Sequence, residues 1–349
     1  MTISQQPHAL NLSGNVPDFI LEDVAVSVTF KLYQGSTLML DELYYPDVDG
    51  GVRVKVADLI HQLLYAKVPD YSQTIFHQQH AYGEFTVNID DEDPIVFTVV
   101  KGFLQRADFD VEQFFRFNWL TTQPTSKAVK FHDPEWLTCY PIEAIDVRIR
   151  ATFSDATTQT ITYATLEAGK VQSINLNPGM IIGQFSAEPI KWEVYTEANG
   201  QSRQYVQTYR YGEVCDQYDD LFVFENRLGG IDTIRFTGTM RSVAGTSTAN
   251  ARFDEYTTDY FSEPIGTLQK NTGALATRSQ LNHALDFFRA IRKHHLYLGY
   301  ITGIYFSESP APEYIQRELN SYTFSFGYSD FKVAYPEIAI PPQLLELPE

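Results

Sequence analysis

Val24, Val26, Val28, Phe30 and Leu32 alternate with Ala25, Ser27, Thr29 and Lys31, and this period of two constrains the fold more than any other feature. Successive side chains of a strand point to opposite faces, so a run of this kind buries one face of a sheet. Gln34-Gly-Ser36 predicts a turn and Thr37–Leu43 a returning strand. Val52, Val54 and Val56 alternate again. Leu59/Leu63 and Ile60/Leu64 have the i,i+4 spacing of a short helix over 58–65. Glu84–Ile89 and Ile95–Val100 flank an acidic hairpin tip, Asp90–Pro94. Residues 110–120 are apolar and fit either helix or strand.

The pattern then recurs. Val26-Ser-Val-Thr-Phe30 parallels Ile149-Arg-Ala-Thr-Phe153, and each precedes a turn and a Thr-containing return strand. Tyr44 followed by Gly51-Val52 parallels Tyr163 followed by Gly169-Lys-Val171. Trp192–Thr196 and Gln204–Thr208 parallel the earlier hairpin. The offset, about 110–125 residues, is the scale of one β-sandwich. The expectation is a mainly β chain: an extended arm over 1–21, then immunoglobulin-like sandwich modules over 22–135 and 140–220. Duplication and two unrelated sandwiches both fit, because alternation alone also matches strands by chance.

A C-terminal β-rich domain with one amphipathic helix is expected over 221–349. It opens on two strand-like runs, Leu221–Phe224 and Ile231–Thr237, divided by Gly229-Gly230. Paired glycines permit positive φ or close backbone approach, so Gly229 and Gly230 are the expected structural turn. Arg241–Asn250 is rich in Ser, Thr, Gly and Ala and reads as a loop or irregular edge. Thr277-Arg-Ser-Gln280 fits a capping box opening a helix over about 277–296. Leu281, Leu285 and Phe288 form its buried stripe, with Ala284 and Ile291 beside it. Its basic end, including His294 and His295, complements the helix dipole, and Gly299 is placed to end it. Tyr322, Phe324, Phe326 and Tyr328 share one face of a later strand and are the candidate contact aromatics. A Pro-rich tail, Pro336 through Pro348, follows.

The formal net charge is −18. A chain so acidic is repelled by phosphate backbones and anionic lipid, which disfavours nucleic acid and membrane surfaces as partners. No apolar run reaches the ~20 residues of a membrane span, and Met1–Gly14 lacks the basic start and apolar core of a secretory signal. Cys139 and Cys215 stand near the two ends of the second module; a bridge between them and two reduced thiols both fit, and reduced thiols are the simpler reading. Asp47-Val-Asp49-Gly50 misses EF-hand spacing and reads as a solvated turn. His77 and His80 lack further ligands at zinc spacing. Trp119, Trp136 and Trp192 lie in apolar runs and are expected in the core rather than stacked on sugars. The sequence has no nucleophile elbow, phosphate loop, metalloprotease helix or dinucleotide fingerprint, so no catalytic, metal or cofactor residue is assigned.

Leu43-Tyr-Tyr-Pro-Asp-Val-Asp-Gly50, Asp133-Pro-Glu-Trp136 and Phe224-Glu-Asn-Arg-Leu-Gly-Gly-Ile-Asp-Thr-Ile-Arg-Phe236 together resemble a group of uncharacterised β-rich proteins of gut anaerobes and their prophages. The resemblance implies a structural component of a phage tail or baseplate. It would assemble with other subunits or with itself, in a virion or in the cytoplasm. The alternatives are a cell-surface adhesion module that binds glycans or host protein, and an enzyme with a dispersed acidic site.

Overall fold

The computed structural model describes the whole chain except residues 91, 106–108, 213–218, 254–255, 298, 309–319 and 330–349, and describes residues 243–266 by backbone alone. It is mainly β, with 46% strand and 12% helix. The chain divides into two units. The first holds Met1–Val214 and Glu225–Asp232, and the second Cys215–Phe224 and Thr233–Glu349.

The first half of the first unit contains β1 (Thr2–Gln5), β2 (Leu10–Leu12), β3 (Phe19–Glu22), β4 (Val28–Gln34), β5 (Thr37–Tyr44), β6 (Val52–Val54), α1 (Ala57–Leu63), β7 (Ile75–His77), β8 (Tyr82–Ile89) and β9 (Ile95–Val100). A five-strand sheet, β2-β9-β8-β4-β5, packs on a three-strand sheet, β1-β3-β6. Phe19, Leu21 and Val54 of the small sheet meet Phe30, Leu32, Phe85 and Phe97 of the large one in a shared core, with Phe19 and Phe30 rings 5.1 Å apart. The expected N-terminal arm is therefore part of this module. Its residues Leu12, Val16, Phe19 and Leu21 are buried, and burying them outweighs the chain-breaking effect of Pro7, Gly14 and Pro17. The alternating run is shorter than its pattern. Asp23 takes a positive φ of 56°, the strand starts at Val28, and Val26 is exposed.

The second half contains α2 (Val111–Phe117), β10 (Ser126–Val129), β11 (Trp136–Cys139), β12 (Ile145–Thr152), β13 (Thr158–Leu166), β14 (Gln172–Asn175), α3 (Pro178–Ile182), β15 (Lys191–Ala198), β16 (Gln201–Ser202) and β17 (Gln207–Tyr211). Asp110 caps α2 through its side chain, which settles the ambiguous 110–120 run as helix at 111–117. The large sheet runs β10-β17-β15-β12-β13, with β16 on β15, and the small sheet runs β11-β14-β7. Strand β7 comes from the first half, so the halves share a sheet.

The two large sheets match strand for strand. In each, an antiparallel four-strand path ends in a parallel edge strand: β2 on β9, and β10 on β17. Pro17-Asp-Phe19 opens β3 and Pro134-Glu-Trp136 opens β11; Phe19 is buried between its module's sheets, whereas Trp136 is buried on the face of β11 opposite to Leu137 and Cys139, which enter the second module's core. The shared topology, at offsets of about 110–120 residues, is the internal repeat that the alternation suggests.

The second unit is built on a seven-strand sheet. Its strands are β18 (Asp220–Glu225), β19 (Ile231–Phe236), β20 (Met240–Phe253), β21 (Tyr256–Asn271), β22 (Lys293–Tyr297), β23 (Tyr300–Glu308) and β24 (Thr323–Tyr328), in the order β19-β18-β22-β23-β24-β21-β20. Helix α4 (Arg278–Arg289) covers one face, burying Leu281, Ala284, Phe287 and Phe288. The capping box forms: Thr277 Oγ1 accepts from the Gln280 amide at 3.1 Å, and Gln280 Oε1 accepts from the Thr277 amide at 3.1 Å.

Several expectations about this unit are corrected here. The helix ends at Arg289 rather than near 296, because Lys293–Tyr297 finds strand partners on both sides, β18 and β23. His294 and His295 thus lie in the sheet, and Ile291 is exposed. Gly299, at φ +82°, lies between β22 and β23 instead of ending a helix. Of the loop and the irregular edge expected over 241–250, the structure has the edge: β20 ends the sheet and its ladder shifts register at Ala249/Asn250.

Candidate functional site

The Gly229-Gly230 turn belongs to the first unit, and its residues are held there one by one. Asn226 organises it. Its Oδ1 accepts from the Leu228 amide at 2.8 Å and the Gly230 amide at 3.2 Å, and its Nδ2 donates to the Leu120 carbonyl at 2.9 Å. Gly229 has φ +82°, and a Cβ there would run into the Lys101 carbonyl. A Cβ on Gly230 would run into the Leu120 carbonyl. One glycine therefore supplies a left-handed backbone and both supply close approach. Phe103 donates its amide to the Arg227 carbonyl at 2.8 Å, and Ala66 donates to Glu225 Oε1 at 2.8 Å. Asp232 accepts from the Thr121 hydroxyl at 2.6 Å and the Thr122 amide at 2.8 Å. Burial raises the Asp232 pKa, and those bonds only partly oppose the rise. The turn thus touches both halves of the first unit, as a closed structural joint.

The four aromatics of the second unit are corrected from contact surface to core. Phe324 and Phe326 are buried, and Tyr322 and Tyr328 pack partly buried against the same cluster. Phe222 stands at its centre, its ring 5.3 Å from Phe287, 5.7 Å from Phe324, 5.6 Å from Phe326 and 4.8 Å from His295. The aromatic period marks a buried face because α4 covers it.

Beside these rings lies a charged cluster that the sequence did not disclose. Lys270 is fully buried and donates to Asp220 and, at 2.6 Å, to the Gly238 carbonyl. His295, also fully buried, places Nε2 at 3.4 Å from Asp220 Oδ1 and Nδ1 at 2.9 Å from the Tyr328 hydroxyl. Burial acts to raise the Asp220 pKa, but the bonds from His295 and Lys270 prevail and hold it below the usual carboxylate range. Burial, then the neighbouring Tyr297 and Asp220, push the Tyr328 hydroxyl well up. An Asp–His–Tyr chain can hold a proton in a fixed place. Here both basic members are sealed from solvent, so the arrangement balances buried charge rather than presenting a reacting group. Residues from β18, β21, β22 and β24 build it, too dispersed for any local motif.

The open feature of the second unit is a ribbon. β20 and β21 pair antiparallel from Met240–Lys270 to Phe253–Tyr256. β24 joins β21 only over Leu268–Asn271. Beyond Leu268, no third strand among the described residues pairs with either member, so among those residues the ladder has two strands there. The Ser/Thr/Gly/Ala composition of 241–250 concealed its first strand, being low in large apolar residues, whereas the sequence from Arg252 to Phe261 already reads as strand.

Trp119, Trp136 and Trp192 are buried, as expected of core. Asp47 Oδ1 accepts from the amides of Asp49 and Gly51 at 2.9 and 2.8 Å, closing its own loop. His80 stacks on Tyr65 at 4.9 Å. No group of three or more metal-ligating residues occurs among the described residues, and no helix there is long and apolar enough to cross a membrane. Cys139 is buried, and burial pushes its thiol well up; Cys215 and the tail after Ser329 lie outside the described residues.

No protein-family model matches the chain, and no curated protein matches it. Among solved structures it is similar to E. coli alpha-2-macroglobulin in its native conformation, at 8% identity and a TM-score of 0.19, covering 92% of this chain and 22% of that one. A likeness at that score carries no argument about fold or function.

Proposed function

We propose that this is a non-enzymatic assembly protein, a tail or baseplate component of a phage or prophage, which docks on neighbouring subunits through the β20–β21 ribbon. The ribbon is the observation that carries the reading. A lone two-strand ladder is marginal in water, whereas an added strand satisfies a full row of backbone donors and acceptors. An open edge this long is a hazard to a protein that works alone and an asset to one that works in an assembly. The sandwich modules supply a rigid body, and the resemblance to prophage proteins supplies the setting. Co-expression with the products of neighbouring genes tests it: the full chain is expected to co-purify with a defined subunit, and the chain with 243–266 replaced by a short turn is not.

A glycan-binding module is the second reading. It draws on an open hollow at one end of the second sandwich, lined by Phe153, Asp155, Thr157, Gln159, Ser186 and Glu188. An aromatic among hydroxyls and carboxylates suits a sugar face and its hydroxyl groups. Specific binding on a glycan array, lost in Phe153→Ala, would favour it.

A further inference from the structure

We propose that the outer edge of β5 is a docking surface for a second copy of this chain, set edge to edge about a twofold axis. β5 closes one side of the first module's large sheet, and no strand among the described residues pairs its outer edge. The strand and the loop after it expose Leu38 (47%), Leu43 (52%), Tyr45 (71%) and Val48 (100%). The fold does not require this, because the duplicated module supplies an internal control. Its matching edge strand, β13, exposes Thr158, Gln159, Thr160, Thr162 and Thr165. Two copies of one topology thus present exposed leucines beside Thr37, Asp41 and Glu42 in one case and a hydroxyl-clad edge in the other.

Three further features point to a second copy as the occupant. First, the ladder shifts register at Met39, so Leu38 pairs with Tyr33 and Leu43 with Thr29. Those partners share a face of β4, so both leucines lie on the outward face near opposite ends of the strand. A twofold axis through the middle of β5 then brings Leu38 of one copy beside Leu43 of the other, and a single contact covers both patches. Second, the carboxylates of the edge are engaged at home. Asp41 pairs with Lys31 at 3.5 Å, and Glu42 accepts from the Tyr44 hydroxyl at 2.5 Å. The Lys31 pairing offsets the Asp41 charge, while Glu42 keeps its own, so one of the two like charges that could guard this edge is balanced. Third, β5 carries neither Pro nor Lys, the other common edge guards. The contact lies wholly in the first unit and does not rest on the ribbon.

Sedimentation velocity on the full chain, from about 1 to about 200 µM, tests the proposal. Wild-type protein is expected to move from monomer toward dimer across that range. The Leu38→Lys/Leu43→Lys variant is expected to remain monomeric with an unchanged circular dichroism spectrum. Thr160→Lys/Thr162→Lys, on the matching polar edge, and the ribbon-shortened chain should dimerise like wild type. If the lysine variant misfolds, hydrogen exchange on wild-type protein gives the answer: amides of 37–44 should exchange more slowly at high concentration. A wild-type chain monomeric throughout, a lysine variant that dimerises normally, or unchanged exchange at 37–44 would overturn the proposal. Dimerisation lost with the ribbon alone would also overturn it while leaving the ribbon reading intact.

Discussion

Gly230 lies directly against the carbonyl of Leu120, so close that the position has no room for a Cβ. The glycine pair is not a flexible hinge but a point where two backbones touch, and Asn226 spans them by bonding both.

Substituting Gly230 with Ala should therefore destabilise the first unit by more than the roughly 1 kcal/mol of an ordinary glycine replacement. Gly229→Ala adds the cost of a left-handed backbone to its clash with Lys101 and should be comparable. Calorimetry on both variants checks this, with an unchanged melting temperature in both as the contrary result.

The core of the second unit has a graded prediction. Phe287 is buried among Phe222, Phe236 and Phe324, and Phe287→Ala should cost about 3–5 kcal/mol. Leu285, expected from the helical period to be fully buried, is only half-buried against that core, so Leu285→Ala should cost clearly less, about 1–2 kcal/mol. Urea unfolding followed by tryptophan-independent circular dichroism ranks the two, and equal losses would contradict the placement of α4.

A pH dependence follows from His61. Burial, and then the Lys101 charge, lower its pKa from 6.5 to about 4 in the folded chain. Lys101 Nζ donates to the His61 carbonyl at 2.5 Å, and the Ser13 hydroxyl lies 2.8 Å from Nδ1. Between about 4 and 6.5 the unfolded chain binds the extra proton, so stability falls as pH drops through that window. His61→Gln should flatten the slope of stability against pH between 6.5 and 4. An unaltered slope would show that the ring is free to protonate in place.

The charged cluster behaves differently. The folded Asp220 pKa is lowered, so its stabilising contribution is present above the unfolded carboxylate range and is lost as pH falls below it. Asp220→Asn leaves Lys270 buried without its carboxylate, and a loss of about 3–5 kcal/mol is expected. Lys270→Met with Asp220→Asn should recover much of it, as measured by a double-mutant cycle.

Much of the sandwich architecture was legible because period-two alternation reports a face directly, as in Phe30 and Leu32. The repeat was legible in the spacing of the strands, and its shared sheet order became visible only in three dimensions. What failed had one cause: local pattern cannot say what covers an element. Lys293–Tyr297 continues a helical run in composition, yet two flanking strands claim it. Phe324 and Phe326 advertise a surface or a core equally until α4 is seen over them. His295, Lys270 and Asp220 meet only in three dimensions. The first strand of the ribbon is rich in small polar residues, and its pairing with β21 is a backbone ladder that no period in the sequence reports.

The assembly reading is tested most directly by hydrogen exchange on the ribbon, in the isolated chain and in the complex with its neighbouring subunit. Amides of 243–253 are expected to exchange rapidly in isolation and to gain strong protection in the complex, while those of Glu225–Asp232 stay protected in both. Ribbon amides that exchange equally fast in the complex and in the free chain would contradict strand addition as the mode of assembly.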